Sequence, residues 1–356
     1  MKTTALIMAG GRGERFWPRS RKTLPKQFLS LTDDGKTLIQ LTVERILPLV
    51  QVEDIYISTN RDYLPLVREQ LPNVPEQNIL CEPVGRNTAP CIGLGAAHIA
   101  KKYGDALMVI LPSDHLVKYH RMFVSTVQDA IILAKDGDNL VTIGIAPDYP
   151  ETGYGYIKFN PDVAVGRGYE VAHFAEKPSI ELAREYVSSD DYLWNSGMFI
   201  WKVSSILKRF EILMPDSYEK LMVIKDSVGT SAQEEILEKV FPEFPSISID
   251  YGIMEKSNDI FTVPGNFGWD DVGSWNAVER TKKTNDLGNI VDGNVISVNT
   301  ANCIIQAGEK LIATVGLEDL VIVDTEDATL ICDKGHTAEI KKVLEQLKTR
   351  GMDRYL

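Results

Sequence analysis

An α/β fold is predicted for this chain. A doubly wound domain around a mixed or parallel sheet should cover residues 1–285, and a small β-rich domain with a closing helix residues 286–356. Three observations predict it. Short apolar runs alternate with helix-period segments between Ala5 and Ile145, the pattern of strands joined by crossover helices. The first apolar run stops at Gly10-Gly11-Arg12-Gly13, at the strand end where such sheets hold their ligands. From Gly288 onward the helical pattern gives way to short strands at near-regular spacing.

The elements follow in order. Residues 5–9 are apolar throughout, as a buried first strand requires. Leu38, Leu41, Ile46 and Val50 recur at spacings that suit a helix packed on a sheet. Residues 55–59, 106–111 and 140–145 read as further strands, and residues 63–71 and 123–135 as helices. Asn87 or Thr88 can cap a helix over residues 91–103, whose Gly93, Gly95, Ala96 and Ala97 are small. Glycine alternates with tyrosine from Gly153 to Tyr156, which suits a passage from loop to strand near a ligand. Residues 169–175 read as a strand that Pro178 ends, with Ser179 as the next cap. Residues 205–240 have helical periodicity interrupted at Pro215. Residues 295–298, 303–306, 311–315, 320–323 and 329–332 read as strands of a coiled β layer, and residues 337–348 as its closing helix. This last domain carries no recognisable chemistry, so packing or subunit contact is its expected work.

Composition narrows the function. A net charge of -12 argues against nucleic-acid binding, and no apolar run is long enough to span a membrane. Cys81, Cys91, Cys303 and Cys332 form no C-x-x-C pair, so reduced thiols in the cytoplasm are expected and a zinc site is not. The first strand starts at once, and no targeting segment is expected before it.

Against that acidic background, Arg12, Arg15, Arg19, Arg21, Lys22 and Lys26 follow the glycines with only Glu14 as a nearby acid. Glycine backbone amides and a cationic arm suit a triphosphate. Neither common nucleotide fingerprint is present. Phe16 stands where the third glycine of G-x-G-x-x-G belongs, and no Gly-Lys-Ser/Thr follows. Thr59-Asn60 ends the second strand without the ribose-binding acid of dinucleotide enzymes. Further along, Asp114 closes a central strand, where a carboxylate can turn the chain or hold a metal. Asp270 and Asp271 are adjacent carboxylates that repel unless a cation or water separates them.

The stretch G-G-x-G-x-R, Phe16-Trp17-Pro18 and Pro25-Lys26-Gln27-Phe28-Leu29 resembles the signature of sugar-phosphate nucleotidyltransferases, in the wording of the mannose-1-phosphate guanylyltransferase family. Family members more often carry Ser and Thr where Arg12 and Glu14 stand. Residues 82–90, the E-K-P motif at Glu176-Lys177-Pro178, and Asn195-Ser196-Gly197 continue the resemblance in the family's order up to Trp275. It implies a Rossmann-like, GT-A-like catalytic domain and a C-terminal domain like a left-handed β-helix. It also implies transfer of GMP from GTP to α-D-mannose 1-phosphate, giving GDP-mannose and diphosphate. Arg15 and Lys26 would be catalytic, and Lys26→Ala is expected to reduce turnover with little loss of fold. Ala9, Gly10, Gly11, Arg12, Gly13, Glu82, Asn87 and Thr88 would bind the nucleotide. Gly155, Glu176, Lys177 and Asn195 would bind the sugar phosphate. Asp114 and Asp271 would hold Mg2+ or another divalent cation, with Asp270 the less favoured choice. His115 is expected to be structural or to support its neighbours, and Asp250 has no assigned role. A homodimer that binds neither nucleic acid nor membrane is expected. Some relatives continue into an isomerase domain, for which this chain is expected to be too short.

Three other readings compete. Another nucleotide or hexose 1-phosphate would keep the mechanism, and a non-catalytic regulatory subunit would keep only the fold. Retention of Arg15, Lys26, Asp114, Lys177 and Asp271 together argues against the second. A dinucleotide-dependent oxidoreductase is disfavoured by the missing third glycine and ribose acid.

Overall fold

In the computed structural model, which describes residues 1–356, the strands up to Asp270 are β1 (Lys2–Ala9), β2 (Ile55–Asn60), β3 (Ile79–Glu82), β4 (Ala106–Pro112), β5 (Leu116–Val117), β6 (Leu140–Ile145), β7 (Gly155–Val165), β8 (Gly168–Glu176), β9 (Tyr192–Lys202), β10 (Ile260–Gly265) and β11 (Trp269–Asp270). All but β5 and β11 form one nine-stranded sheet in the order β3-β2-β1-β4-β9-β6-β10-β8-β7. The chain divides into two compact units. Unit 1 is Met1–Gly10, Thr42–Ser113 and Val117–Trp269, and unit 2 is Gly11–Leu41, Asp114–Leu116 and Asp270–Leu356.

The whole sheet lies in unit 1. β1 to β4 are parallel, with Ala9 opposite Thr59, Asn60 opposite Glu82, and Met8 opposite Pro112. The C-terminal ends of these four strands therefore coincide at one edge, where an open sheet binds its ligands. The sheet is mixed, not parallel throughout: β9 is antiparallel to both β4 and β6. β7 and β8 form an antiparallel hairpin, and β9 also pairs antiparallel with β7.

The helices are α1 (Leu38–Ile46), α2 (Leu64–Gln70), α3 (Thr88–Tyr103), α4 (His120–Lys135), α5 (Ile180–Val187), α6 (Val203–Leu213), α7 (Pro215–Ser227), α8 (Gln233–Val240), α9 (Ile249–Gly252) and α10 (Ile340–Thr349). α3 begins three residues earlier than expected. Its small residues are packing devices: a Cβ on Gly95 would meet Leu6 of β1 at 2.7 Å, and one on Gly93 would meet Leu221 of α7 at 2.8 Å. Ile92, Leu94, Phe199, Phe210 and Ile224 bury themselves in the same core, each worth roughly 1.5–3 kcal/mol on burial.

Unit 2 gathers segments that are distant in sequence. Phe16, Trp17, Leu29 and Leu31 share one core with Val272, Trp275, Ile304, Val321 and Leu344. Its strands are β12 (Ile290–Asp292), β13 (Val295–Val298), β14 (Ile304–Gln306), β15 (Ile312–Val315), β16 (Leu320–Asp324) and β17 (Thr329–Asp333). β12, β14 and β16 run parallel, as do β13 and β15, with no helix between successive strands. That is a coil of the β-helix kind, and β12 is a strand the spacing did not predict. The units thus cut the chain differently from a single division at 285/286, because the arm Gly11–Leu41 shares its core with Asp270–Leu356.

Candidate active site

In unit 2 the glycine turn runs into a 3-10 turn at Glu14–Phe16. Of the three glycines only Gly13 has positive φ (58°), and Gly10 and Gly11 lie in open space. Gly13 is also the one that sterics demand. A Cβ there would lie 2.2 Å from the Lys26 Cβ and 2.8 Å from its backbone nitrogen. Gln27 fixes the turn from below, its Nε2 donating to the Gly11 carbonyl at 3.0 Å.

Lys26 is the centre of this group. It is only 5% exposed, and its Nζ donates to Asp114 Oδ2 at 2.8 Å and to the Asp271 carbonyl at 2.6 Å. Burial pushes the Asp114 carboxyl up, but Lys26, with His115 and hydrogen bonds, outweighs it and holds Asp114 below the usual carboxylate range. His115 Nε2 lies 3.9 Å from Asp114 Oδ1. Asp271 Oδ1 accepts from the Gly273 backbone. Asp270 is occupied elsewhere: it is paired with Arg280 and accepts from the Val272 N–H at 2.7 Å. Its burial with a cation explains why two adjacent carboxylates can coexist here.

These residues border a cavity of about 310 Å³ lined by Arg12, Gly13, Glu14, Arg15, Phe16, Lys26, Asp114, Gly273 and Lys341. The structure therefore brings together Arg12, Gly13, Arg15, Lys26 and Asp114. It adds Lys341, which sequence reasoning missed because a lysine on an amphipathic helix looks like an ordinary solvated face. Lys26 is thus also a packing residue, and its ammonium is the cation closest to the Asp114 carboxylate.

Unit 1 carries the other expected residues. Ala9 ends β1, and its carbonyl accepts from Thr59 Oγ1 at 3.0 Å. Glu82 is buried and accepts from Ser58 Oγ at 2.8 Å, and burial pushes its carboxyl up. Asn87, with φ of 68°, does cap α3, its Oδ1 accepting from the Thr88 N–H. Thr88 Oγ1 accepts from the Ile249 N–H at 2.8 Å and so ties α3 to α9.

The expected sugar-phosphate residues converge at the start of β7, at the end of β8 and within β9. A Cβ on Gly155 would lie 2.4 Å from Glu176 Oε2, so a side chain at this position would push the Glu176 carboxylate aside. Lys177 Nζ donates to Glu176 Oε1 at 2.6 Å, a bond that raises the lysine's pKa. Asn195 accepts from Thr142 and from the Gly197 N–H, and donates to Asp250 Oδ1 at 2.8 Å. Asp250 thus belongs to this cluster, which the sequence did not disclose. Burial and then Glu176 push its carboxyl up to about 6. Tyr154 packs edge-on to Trp194 and Trp269 nearby.

A polyphosphate-sized cationic cavity, on a chain whose parallel strands end at one sheet edge, defines a nucleotide-using transferase of the α/β class. The comparisons agree. The family described as nucleotidyl transferase matches residues 4–286, and the MannoseP isomerase/GMP-like beta-helix domain matches residues 293–347. A mannose-1-phosphate guanylyltransferase of Salmonella montevideo is 39% identical over 99% of this chain and 75% of its own length. One of Escherichia coli (strain K12) is 41% identical over 98% and 74%. A crystal structure described as mannose-1-phosphate geranyltransferase from Thermus thermophilus has a TM-score of 0.89 at 37% identity, covering 98% of this chain and all of that one. The chain belongs to the mannose-1-phosphate guanylyltransferase family of nucleotidyltransferase enzymes. No helix in it is long and apolar enough to cross a membrane.

Proposed function

We propose that this enzyme transfers GMP from GTP to α-D-mannose 1-phosphate, releasing diphosphate and forming GDP-mannose. A phosphate oxygen of the sugar phosphate attacks the α-phosphorus of GTP, and the bond from that phosphorus to the bridging β-phosphate oxygen breaks in line. No general base is needed, because the attacking phosphate is already ionised at neutral pH. The observation that carries the reading is the position of Lys26, fixed by Asp114 and the Asp271 carbonyl at the wall of a cavity that Arg12 and Arg15 also line.

Such a reaction depends on positioning and charge stabilisation more than on covalent chemistry. Arg15 and Lys26 offset charge on the α-phosphoryl group and the leaving diphosphate. The amides around Gly11 and Gly13 approach the phosphates where no side chain intervenes. Glu82, Asn87 and Thr88 read the guanine edge, since a carboxylate and amide groups supply acceptors for N1–H and the exocyclic amine. Glu176, Lys177 and Asn195 hold the sugar phosphate, with Lys177 as its cation.

The residues present fit a divalent cation. No group of three or more His, Cys, Asp and Glu side chains gathers in the structure. Mg2+ needs no such cage, taking one or two carboxylates, waters and substrate phosphates. Asp114, about a third exposed at the cavity wall, and Asp271 offer hard oxygen donors of that kind. When bound, the ion would supply charge neutralisation and orientation of the phosphates.

The test is diphosphate release with magnesium, using each of four nucleoside triphosphates against mannose, glucose and galactose 1-phosphates. Release confined to GTP with mannose 1-phosphate supports the reading. Release with another pair overturns the specificity, and no release from folded, nucleotide-binding protein overturns catalysis.

A further inference from the structure

The C-terminal helix α10 brings a cation to a cavity built mainly from the N-terminal arm. Ile340 and Leu344, one turn apart, are buried in the core that Phe16 and Trp17 share. That anchoring fixes which way the helix faces, and Lys341 comes to line the cavity beside Arg12, Arg15 and Lys26. The charges there are unbalanced, with four cations facing two carboxylates, Glu14 and Asp114. Asp114 is already paired with Lys26, and Glu14 lies 4.0 Å from Arg12 and 3.8 Å from Lys348.

The other lysines of α10 near this face are used. Lys342 pairs with Glu339 at 3.0 Å, and Lys348 approaches Glu14. Lys341 forms no ion pair, although it stands in the first turn of the helix, where the helix dipole disfavours a cation. An anion in the cavity would offset both the dipole and the local excess of positive charge.

We propose that Lys341 is a polyphosphate ligand, reaching from the C-terminal domain to bind the diphosphate portion of the nucleotide substrate and the diphosphate released from it. This rests on the guanylyl-transfer reading above and adds to it a residue outside the signature. The domain expected to serve packing or subunit contact then contributes directly to substrate binding.

The experiment is calorimetric titration of inorganic diphosphate, with magnesium, and separately of mannose 1-phosphate, into wild type, Lys341→Ala, Lys341→Arg and Lys342→Ala. Loss of one charge-assisted contact raises a dissociation constant about tenfold. Lys341→Ala should weaken diphosphate binding by that factor and leave mannose 1-phosphate binding unchanged. Lys341→Arg should restore it, and Lys342→Ala should have no effect. Diphosphate binding unchanged in Lys341→Ala, or weakened equally in Lys342→Ala, overturns the assignment of Lys341. Wild-type protein that neither binds diphosphate nor releases it from GTP sinks the guanylyl-transfer reading, and the proposal with it.

Discussion

Gly13 lies so close to Lys26 that a methyl group on it would sit 2.2 Å from the Lys26 Cβ. The turn and the lysine are therefore one packing unit. Gly13→Ala adds this clash to a left-handed backbone (φ 58°). A loss of about 2–5 kcal/mol is expected, from the strain and the overpacking combined. Urea unfolding checks it. A variant as stable as wild type would show that the turn relaxes freely.

Lys26→Met removes the ammonium but keeps much of the buried stem. Breaking a buried ion pair by removing one partner costs about 3–5 kcal/mol, and loss of a charge-stabilising donor costs about 100-fold or more in turnover. Both effects should appear together in unfolding curves and in diphosphate release. Unchanged turnover in the folded fraction would remove Lys26 from the mechanism.

Asp114→Asn keeps the shape of the side chain while weakening it as a hard ligand. The magnesium concentration giving half-maximal activity should rise by about tenfold or more. An unchanged magnesium titration rules out a ligand role for Asp114.

Asp250 provides a pH signature. Its carboxyl is pushed up to about 6 by burial and by Glu176. The folded state keeps this proton where the unfolded chain, titrating near about 3.9, has lost it. The stability it contributes is therefore fully present below about pH 4 and lost as pH rises through about 6. Asp250→Asn should flatten this fall in thermal midpoint between pH 4 and 7. A fall of the same size in the variant would assign it to another group.

Arg21 ties the cationic arm down instead of serving the cavity. Its Nη1 donates to the Tyr355 carbonyl at 2.7 Å, and its Nη2 to Asp327 at 2.6 Å. Arg21→Ala should cost about 1.5–3 kcal/mol, as loss of charged hydrogen bonds does, with unchanged KM values for both substrates. Steady-state kinetics beside a melting curve separates the two effects.

Much of this arrangement was legible in the sequence. Apolar runs announced β1, β2, β4 and β6, and the glycine cluster announced the turn after β1. What escaped had physical causes. β9 carries Asn195, Ser196 and Gly197 in its middle, and β10 carries Pro264, so neither has the uniform apolar or alternating pattern of a strand. Asp250 joins the cluster of Glu176 and Asn195 through Asn195, 55 residues away, a contact that no local spacing encodes. The pairing of Asp270 with Arg280, ten residues further on, is likewise a contact that local spacing does not encode.

The indole of Trp17 donates to the carbonyl of Tyr355, 338 residues further along. At ribosomal rates of about 5–20 residues per second, roughly 20 to 70 s separate the synthesis of these two partners. The nascent arm must wait that long, with Phe16 and Trp17 still lacking the groups that will enclose them. Its folding is thus timed by translation of the residues around Tyr355. Stalled nascent chains that lack the last coils should expose this arm to protease and should carry no activity, however well the nine-stranded sheet has already formed.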